Sequence, residues 1–246
     1  MKGREHKRLI SRIDKLELRL LTVNGSQRGV MNFLAAQSID DFDRAKQLVA
    51  ISGLDVDGLL AQLAGAGSSG QGGPFIAAMA DTGVTVPAAL GVIDNQLDRW
   101  EALGVLISRL PFTAPVDHYY VASQFGKRRD PINRRWAMHY GLDLAGVYRS
   151  PVRATAPGIV VKVGWNGSYG RAVEIDHGLG IRTRYGHLRR SLVKRGQKVD
   201  FRQKIRQMEN SGRSTGTHVH YEILVNGKPS NPAKFMEAGE HVLKEY

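Results

Sequence analysis

Thr215-Gly216-Thr217-His218-Val219-His220-Tyr221-Glu222-Ile223 is a run with strand character in which two histidines stand two residues apart. Side chains of a strand alternate faces, so residues i and i+2 point the same way. His218 and His220 are therefore expected side by side on one face. Two imidazoles aimed into one space suit a metal site or a paired acid and base. A His-x-His is also an ordinary polar pair on a solvated strand face, and the rest of the chain has to decide between these.

The run extends to Val225 and is followed by Asn226-Gly227, a turn signal. Upstream, Gly158 to Val163, Ala172 to Ile175 and Ile181 to Tyr185 are further short β-like runs, with turns marked by Asn166-Gly167 and His177-Gly178. Short strands at this spacing predict an all-β sandwich or barrel. Composition changes after Pro115, where Val121-Ala122-Ser123-Gln124-Phe125-Gly126 leads into a polar loop with Asp130-Pro131.

The N-terminal half is of another kind. Leu9, Ile13, Leu16, Leu20 and Val23 form a heptad seam with charged residues between them, which weakens at Gly25, Gln27 and Gly29. It predicts a short coiled-coil segment or one amphipathic helix packed on its own domain. Ser38, with Asp41 at the capping-box position, predicts a helix start for a helix carrying Ala45 to Ile51 and stopping at Gly53. A second short helix is expected from Leu54-Asp55-Val56-Asp57 through Leu63. Gly65 to Pro74 is a flexible linker by composition. Val86 to Leu110 predicts a helix ended by Pro111, with Ile93, Leu97, Trp100, Leu103 and Ile107 on its apolar stripe. The expected class is α+β. Residues 1–64 form a helical arm with a coiled-coil segment, 65–75 a linker, 76–115 a helical segment, 116–236 an antiparallel all-β domain and 237–246 a C-terminal tail.

At 246 residues the chain is long enough to bury a sizeable core, and the absence of cysteine excludes disulfides and thiolate metal sites. No apolar run approaches the ~20 residues needed to cross a bilayer. The charged start, Met1-Lys2-Gly3-Arg4-Glu5-His6-Lys7-Arg8, is followed by no signal segment. The expectation is a cytosolic chain, or one whose export signal or anchor lies outside it. A net charge of +12 favours polyanions: nucleic acid, anionic lipid or an acidic wall polymer. Between Arg182 and Arg206 ten basic residues face only Asp200, which is either a solvated basic face or a polyanion-facing surface. No recognisable nucleic-acid module accompanies it.

The chemistry gathers in three places. His139 and Asp143 are four apart in Trp136 to Gly146, a spacing that shares a face in a strand or a helix. With His220 they make a His, Asp, His set. Three protein ligands on a tetrahedral ion leave a fourth position for water, as in catalytic zinc sites, where the water's pKa falls to ~7. Hydrolysis further needs a proton acceptor and a stabiliser for the oxyanion. His218 shares the face of His220, and His187, just past the expected strand Ile181 to Tyr185, is a candidate for the other side of the same cleft.

His-x-x-x-Asp, then Tyr-x-His-Leu, then Ser-Thr-Gly-x-His-x-His-Tyr-Glu, in that order, resembles the LytM/lysostaphin family of zinc metallopeptidases, and the N-terminal half with Gly70-Gln71-Gly72-Gly73-Pro74-Phe75 resembles the helical arm of its membrane-tethered, cell-envelope members from Gram-negative bacteria. The resemblance runs from about Ser123 to Pro232 and includes Ser123-x-Phe125-Gly126-x-Arg128 and Asp176-His177-Gly178. It implies a groove-bearing antiparallel β fold and one Zn²⁺ per chain, held by His139, Asp143 and His220. It makes His187 and His218 the acid/base and oxyanion-stabilising pair, and His177 structural. Tyr140, Tyr169, Arg202 and Arg206 are the candidates for substrate contact. Arg202 and Arg206 replace glycines usual in the family, Gln207 to Ser211 is unusual, and Thr217 replaces a common proline.

The implied function is an endopeptidase that hydrolyses peptide cross-links of bacterial peptidoglycan, with the D-Ala–diaminopimelate bond as its target. The implied place is the periplasm or cell envelope, tethered to the inner membrane by an anchor absent from this chain. An envelope regulatory protein, or self-association through the N-terminal helix, is the expected partner, and no specific nucleic acid is expected. Two alternatives differ in class: a non-catalytic LytM-like scaffold that activates a cell-wall amidase, and a basic β domain that binds a polyanion without zinc.

Overall fold

The computed structural model describes residues 37–67, 86–130, 134–189, 192–214 and 216–245. The heptad seam from Leu9 to Val23, and with it the coiled-coil expectation, lies outside these residues. The chain divides into two compact units; among the described residues the first holds 37–44 and 86–101, the second 45–67 and 102–245.

Among the described residues three helices come first: α1 (37–50), α2 (Val56–Gly67) and α3 (Val86–Arg109). In the first unit, Phe42 is buried edge-on against Trp100 with ring centroids 5.5 Å apart, and the Arg99 guanidinium lies 4.1 Å from the Phe42 ring centre. Ser38 is not the cap expected of it. Gln37 is already helical, and the Ser38 hydroxyl accepts a hydrogen bond from Trp100 Nε1 at 3.2 Å, a tertiary partner in place of a local one.

In the second unit, α1 closes at Gly53, whose φ of +83° is the left-handed conformation that ends helices. Asp55 caps α2 by accepting from the Gly58 amide at 3.1 Å. This helix runs on to Gly67, past Leu63 and into the expected linker, because Ala61, Ala64 and Ala66 offset the glycines. The buried side of α3 is Leu103 and Leu106, continued by Leu110 just past its end, while Leu97 is 61% exposed. The apolar stripe is thus turned by about one position from the expected one.

The strands are β1 (Tyr120–Ser123), β2 (Gly126–Arg129), β3 (Trp136–His139), β4 (Leu142–Ala145), β5 (Pro151–Arg153), β6 (Gly158–Trp165), β7 (Arg171–Gly178), β8 (Ile181–Gly186), β9 (Lys198–Val199), β10 (Lys204–Gln207), β11 (His218–Val225) and β12 (Lys228–Ser230). Eight of them form one antiparallel sheet in the order β1-β4-β11-β8-β7-β6-β9, with β12 also paired to β11; β2–β3 and β5–β10 are separate ribbons. The sheet is open, with β1 and β9 at its ends. A sandwich or barrel was expected from the strand spacing, and a single sheet carrying two ribbons is found.

β11 lies at the centre and is buried on both faces. One face is apolar: Val219, Tyr221 and Ile223 join Leu142, Leu144, Val173, Ile175 and Tyr185 in the core. A polar chain runs through this core. Thr183 Oγ1 stands 2.8 Å from His177 Nε2 and 2.9 Å from the Tyr185 hydroxyl, and Thr155 Oγ1 lies within 3.0 Å of the hydroxyls of Tyr185 and Tyr221. The other face is polar. There Glu222 pairs across to Arg184 on β8, and Arg184 to Glu174 on β7.

Two ends differ from expectation. His177-Gly178 closes β7 and the turn is Leu179-Gly180, with φ of +52° and +72°, because His177 is held in the core by Thr183 and by Pro157 O at 2.7 Å. The expected tail is instead most of helix α4 (Pro232–Glu245), which buries Phe235, Ala238 and Val242 at helical spacing.

Candidate active site

Register builds the site. His220 on β11 lies opposite Asp143 on β4 and opposite Gly186 on β8. Directly opposed residues point to the same face, so Asp143 meets His220, and Gly186 leaves room beside the imidazole. His139 arrives by a separate route. It ends β3, which belongs to the β2–β3 ribbon, and Tyr140-Gly141 carry the chain over into β4. His139 and Asp143 therefore do not share a strand face; consecutive strands of two different sheets converge on one point. The crossing needs Gly141, since a Cβ there would meet the Tyr221 carbonyl and lie 3.0 Å from His220 Cε1.

Three donor atoms meet at this point. His139 Nε2 is 3.1 Å from Asp143 Oδ1 and 3.1 Å from His220 Nδ1, and His220 Nδ1 is 2.8 Å from Asp143 Oδ1. The far nitrogen of each imidazole is committed elsewhere. His139 Nδ1–H donates to Gln124 O at 2.7 Å, and His220 Nε2–H donates to Glu222 Oε1 at 3.0 Å. Both remaining lone pairs then face the Asp143 carboxylate, an arrangement that asks for a cation between them. Burial alone would raise Asp143, but where a proton on either imidazole takes the place of that cation, its hydrogen bond to Asp143 holds the carboxyl well below the usual range. Burial would lower His220, and its bonds to Asp143 and Glu222 raise it instead. A tetrahedral ion ~2.0–2.1 Å from each donor would space them ~3.3 Å apart, close to the separations seen. His139, Asp143 and His220 thus fit a divalent metal by donor type and by spacing.

Glu222 is the support behind this triad. It is buried and accepts from Tyr169 Oη at 2.8 Å and from Arg184 Nη1 at 2.6 Å. A carboxylate behind a ligating histidine fixes the tautomer and strengthens the ligand. Arg128 Nη2 donates to the other Asp143 oxygen, Oδ2, at 3.3 Å.

His187 and His218 stand beside the triad with ring centroids 4.7 Å apart. His218 Nε2 is 3.6 Å from Asp143 Oδ1, and its Nδ1–H donates to Gly216 O at 2.9 Å. His187 Nδ1–H donates to Ser211 O at 2.7 Å. His187 has φ of +56°, a left-handed conformation costly for a residue with a side chain, and its amide is held by Tyr169 O at 2.8 Å. Burial, above all, pushes His187 down to about 4 and also lowers His218. Both are neutral imidazoles near pH 7, with Nε2 left to accept a proton. Here the unusual Gln207 to Ser211 segment has a place: it is bridged to Leu188 and His218 and supplies the carbonyl that orients His187.

These residues line a cleft of about 340 Å³ that also includes Arg128, Asp130, Met138, Tyr140, Tyr169, Arg213 and Ser214. Tyr140 and Tyr169 are thus among the cleft lining. Arg202 and Arg206 are not. Arg202 adopts φ of +62° in the turn after β9, which accounts for glycine being usual there, and its guanidinium is spent on Ala114 O and Asp117. Arg206 is 1% exposed and donates to Arg189 O and Ala172 O, on the side of β10 away from solvent.

Glu222 and Arg128 went unassigned in the sequence. Glu222 follows His220 by two, so the alternation that joined the histidines also places it on their face. Arg128 stands in the quoted Ser123-x-Phe125-Gly126-x-Arg128, but its contact with Asp143 has no local signal, since the β2 residues read as a polar loop. The carbonyls of Gln124 and Ser211 leave no trace in side-chain chemistry.

Residues 137–232 match the model of Peptidase family M23. Over 122 residues the chain is 43% identical to the peptidoglycan DD-endopeptidase ShyA of Vibrio cholerae, covering 49% of this chain and 28% of that protein. Over 123 residues it is 39% identical to the DD-carboxypeptidase/endopeptidase Mpg of Neisseria meningitidis serogroup B, covering 48% and 27%. A crystal structure of a zinc-containing peptidase from Vibrio cholerae aligns with a TM-score of 0.47 at 38% identity, over 51% of this chain and 39% of that one. The chain spans under a third of the length of the two curated relatives it matches here.

Proposed function

We propose, for a chain whose residues 137–232 are a Peptidase family M23 domain, that the cleft is that of a zinc-dependent endopeptidase. Its substrate is the peptide cross-link of bacterial peptidoglycan, at the D-Ala–diaminopimelate bond. One observation carries this: His139 Nε2, Asp143 Oδ1 and His220 Nδ1 meet within 3.1 Å in a cleft that also holds the paired rings of His187 and His218. Relatives named as DD-endopeptidases support the substrate class.

Two imidazoles and one carboxylate suit zinc better than the harder cations. When bound, the ion supplies Lewis acidity toward water and toward a scissile carbonyl. The other work belongs to the chain. His218, with Nδ1 committed to Gly216 O, presents Nε2 beside the triad and accepts the proton that water gives up on attack. His187, oriented by Ser211 O, faces the same space. An imidazole that has taken a proton at Nε2 becomes a donor there, and can stabilise the oxyanion or protonate the departing amine. Tyr140 and Tyr169 flank the path of the peptide, and Glu222 keeps His220 in the ligating tautomer. Such an enzyme acts in the cell envelope, where its substrate is, and the segment with the heptad seam is the part suited to a regulatory partner or to self-association.

The test compares metal content and digestion of purified peptidoglycan for wild type, His220→Ala and His218→Ala. His220→Ala is expected to lose both metal and activity. His218→Ala should keep the metal and lose a factor of ~10²–10⁴ in rate. A wild type that binds zinc and cuts nothing would favour the scaffold that activates an amidase.

A further inference from the structure

We propose that the outward face of the β2–β3 ribbon is a second substrate surface, which holds a sugar ring and neighbouring carboxylates of the peptidoglycan strand whose peptide lies in the cleft. This rests on the substrate class proposed above.

The ribbon has two faces, set by its register. Gly126 pairs with His139 and Arg128 with Ala137, while Lys127 pairs with Met138 and Arg129 with Trp136. Paired residues share a face, and faces alternate along the strand. The first set looks into the cleft, where Arg128, Ala137 and His139 are among its lining. The second set looks outward. Lys127 and Arg129 are exposed, and Trp136 is 64% exposed.

Trp136 has the Lys127 ammonium 5.4 Å and the Arg129 guanidinium 5.5 Å from its ring centre, both within cation–π range. The four residues of this face include no carboxylate. A large exposed indole with two cations near its ring is a surface for a ligand that is flat, apolar on one side and anionic at its edges. Sugar rings present C–H faces of this kind, and peptidoglycan stem peptides carry free carboxylates. The surface is also continuous with the cleft: Met138, on the outward set, reaches the cleft lining. Three strand residues, ~10 Å, separate Trp136 from His139. A stem peptide of four residues spans up to ~14 Å when extended, so a strand with its cross-link at the triad can lay a sugar against Trp136.

The experiment uses purified sacculi and the His220→Ala protein, which is not expected to cut them, with the bound fraction read by pelleting. In that background Trp136→Leu and the double variant Lys127→Gln/Arg129→Gln should each bind about tenfold more weakly, and wild-type affinity should fall as salt rises. In parallel, wild type and the same ribbon variants hydrolyse a soluble cross-linked peptide dimer that has no sugars, with kcat/KM expected to be unchanged. Undiminished sacculus binding by the variants would overturn the proposal. So would parallel loss of dimer hydrolysis, which marks the ribbon as structural, or an equal loss of binding to duplex DNA, which marks a generic basic patch. If wild type cuts neither substrate, the peptidase assignment fails, and the pelleting result still decides the ribbon.

Discussion

His220 faces Asp143 across the β4–β11 pair, with Nδ1 2.8 Å from Asp143 Oδ1, and turns its other nitrogen to Glu222 at 3.0 Å. One imidazole is held between two carboxylates of opposite purpose. Asp143 faces the cleft with it, where the two could hold a cation, while Glu222 accepts the hydrogen bond of Nε2–H from behind.

Glu222→Gln tests the support from behind. The amide keeps the shape of the side chain and loses the charge that orients His220 and pairs with Arg184. Removing such a partner behind a metal ligand typically weakens metal binding ~10–100-fold. Competition with a chromophoric zinc chelator measures it. Equal affinity in the variant would mean that the strand register alone holds His220.

Gly141→Ala tests the crossing from β3 to β4. The added Cβ meets the backbone carbonyl of Tyr221, which cannot swing away as a side-chain tip can, and His220 Cε1 at 3.0 Å. Overpacking of this kind costs ~1–3 kcal/mol, and here it also displaces the triad. Thermal unfolding should show a lower Tm, and the same chelator assay weaker metal binding. A variant with wild-type Tm would show that the crossing has slack.

His177→Gln tests a buried imidazole away from the cleft. Burial, above all, lowers the pKa of His177 in the folded chain, against the opposing bond to Pro157 O and the charge of Asp176. The unfolded chain therefore binds its proton first. The stability that depends on neutral His177 is complete above the unfolded value of ~6.5 and is lost as pH falls below it toward the folded value. Between pH 7 and pH 5 the Tm of wild type should fall more than that of His177→Gln. Parallel curves would show that the core accepts the charged form.

Arg206→Met separates structure from substrate contact. The buried guanidinium supplies donors to Arg189 O and Ala172 O, and a methionine leaves both without them. The expected loss is ~1–3 kcal/mol in stability, with KM for a cross-linked peptide unchanged. A raised KM at wild-type Tm would put Arg206 back at the cleft.

Much of this protein was legible in the chain before its fold. The runs from Gly158, Ala172, Ile181 and His218 are strands because β-branched and aromatic residues alternate there, and the structure extends them only at their ends. His218, His220 and Glu222 share a face for the same local reason. The short strands β1 to β4 were less legible. Each is only four residues long, β2 is Gly-Lys-Arg-Arg with no apolar alternation, and β4 owes its burial to pairing with the distant β11. The buried side of α3 was mistaken by about one position, since a helix with apolar residues on a broad stripe turns whichever side the core offers. The tail became α4 because Phe235, Ala238 and Val242 have a core to enter.

Residue types, alternation and spacing determine which side chains carry chemistry, and on which face of its own strand each one stands. They do not determine which strand lies beside which. That is decided by backbone pairing between segments far apart in sequence, and here it is this pairing that sets His220 against Asp143, 77 residues away. Long-range register across β5–β10 likewise turned Arg206 inward, whereas the local β2–β3 hairpin leaves Trp136 in solvent. The donors of the site were written in the chain, and their meeting point was set by the sheet.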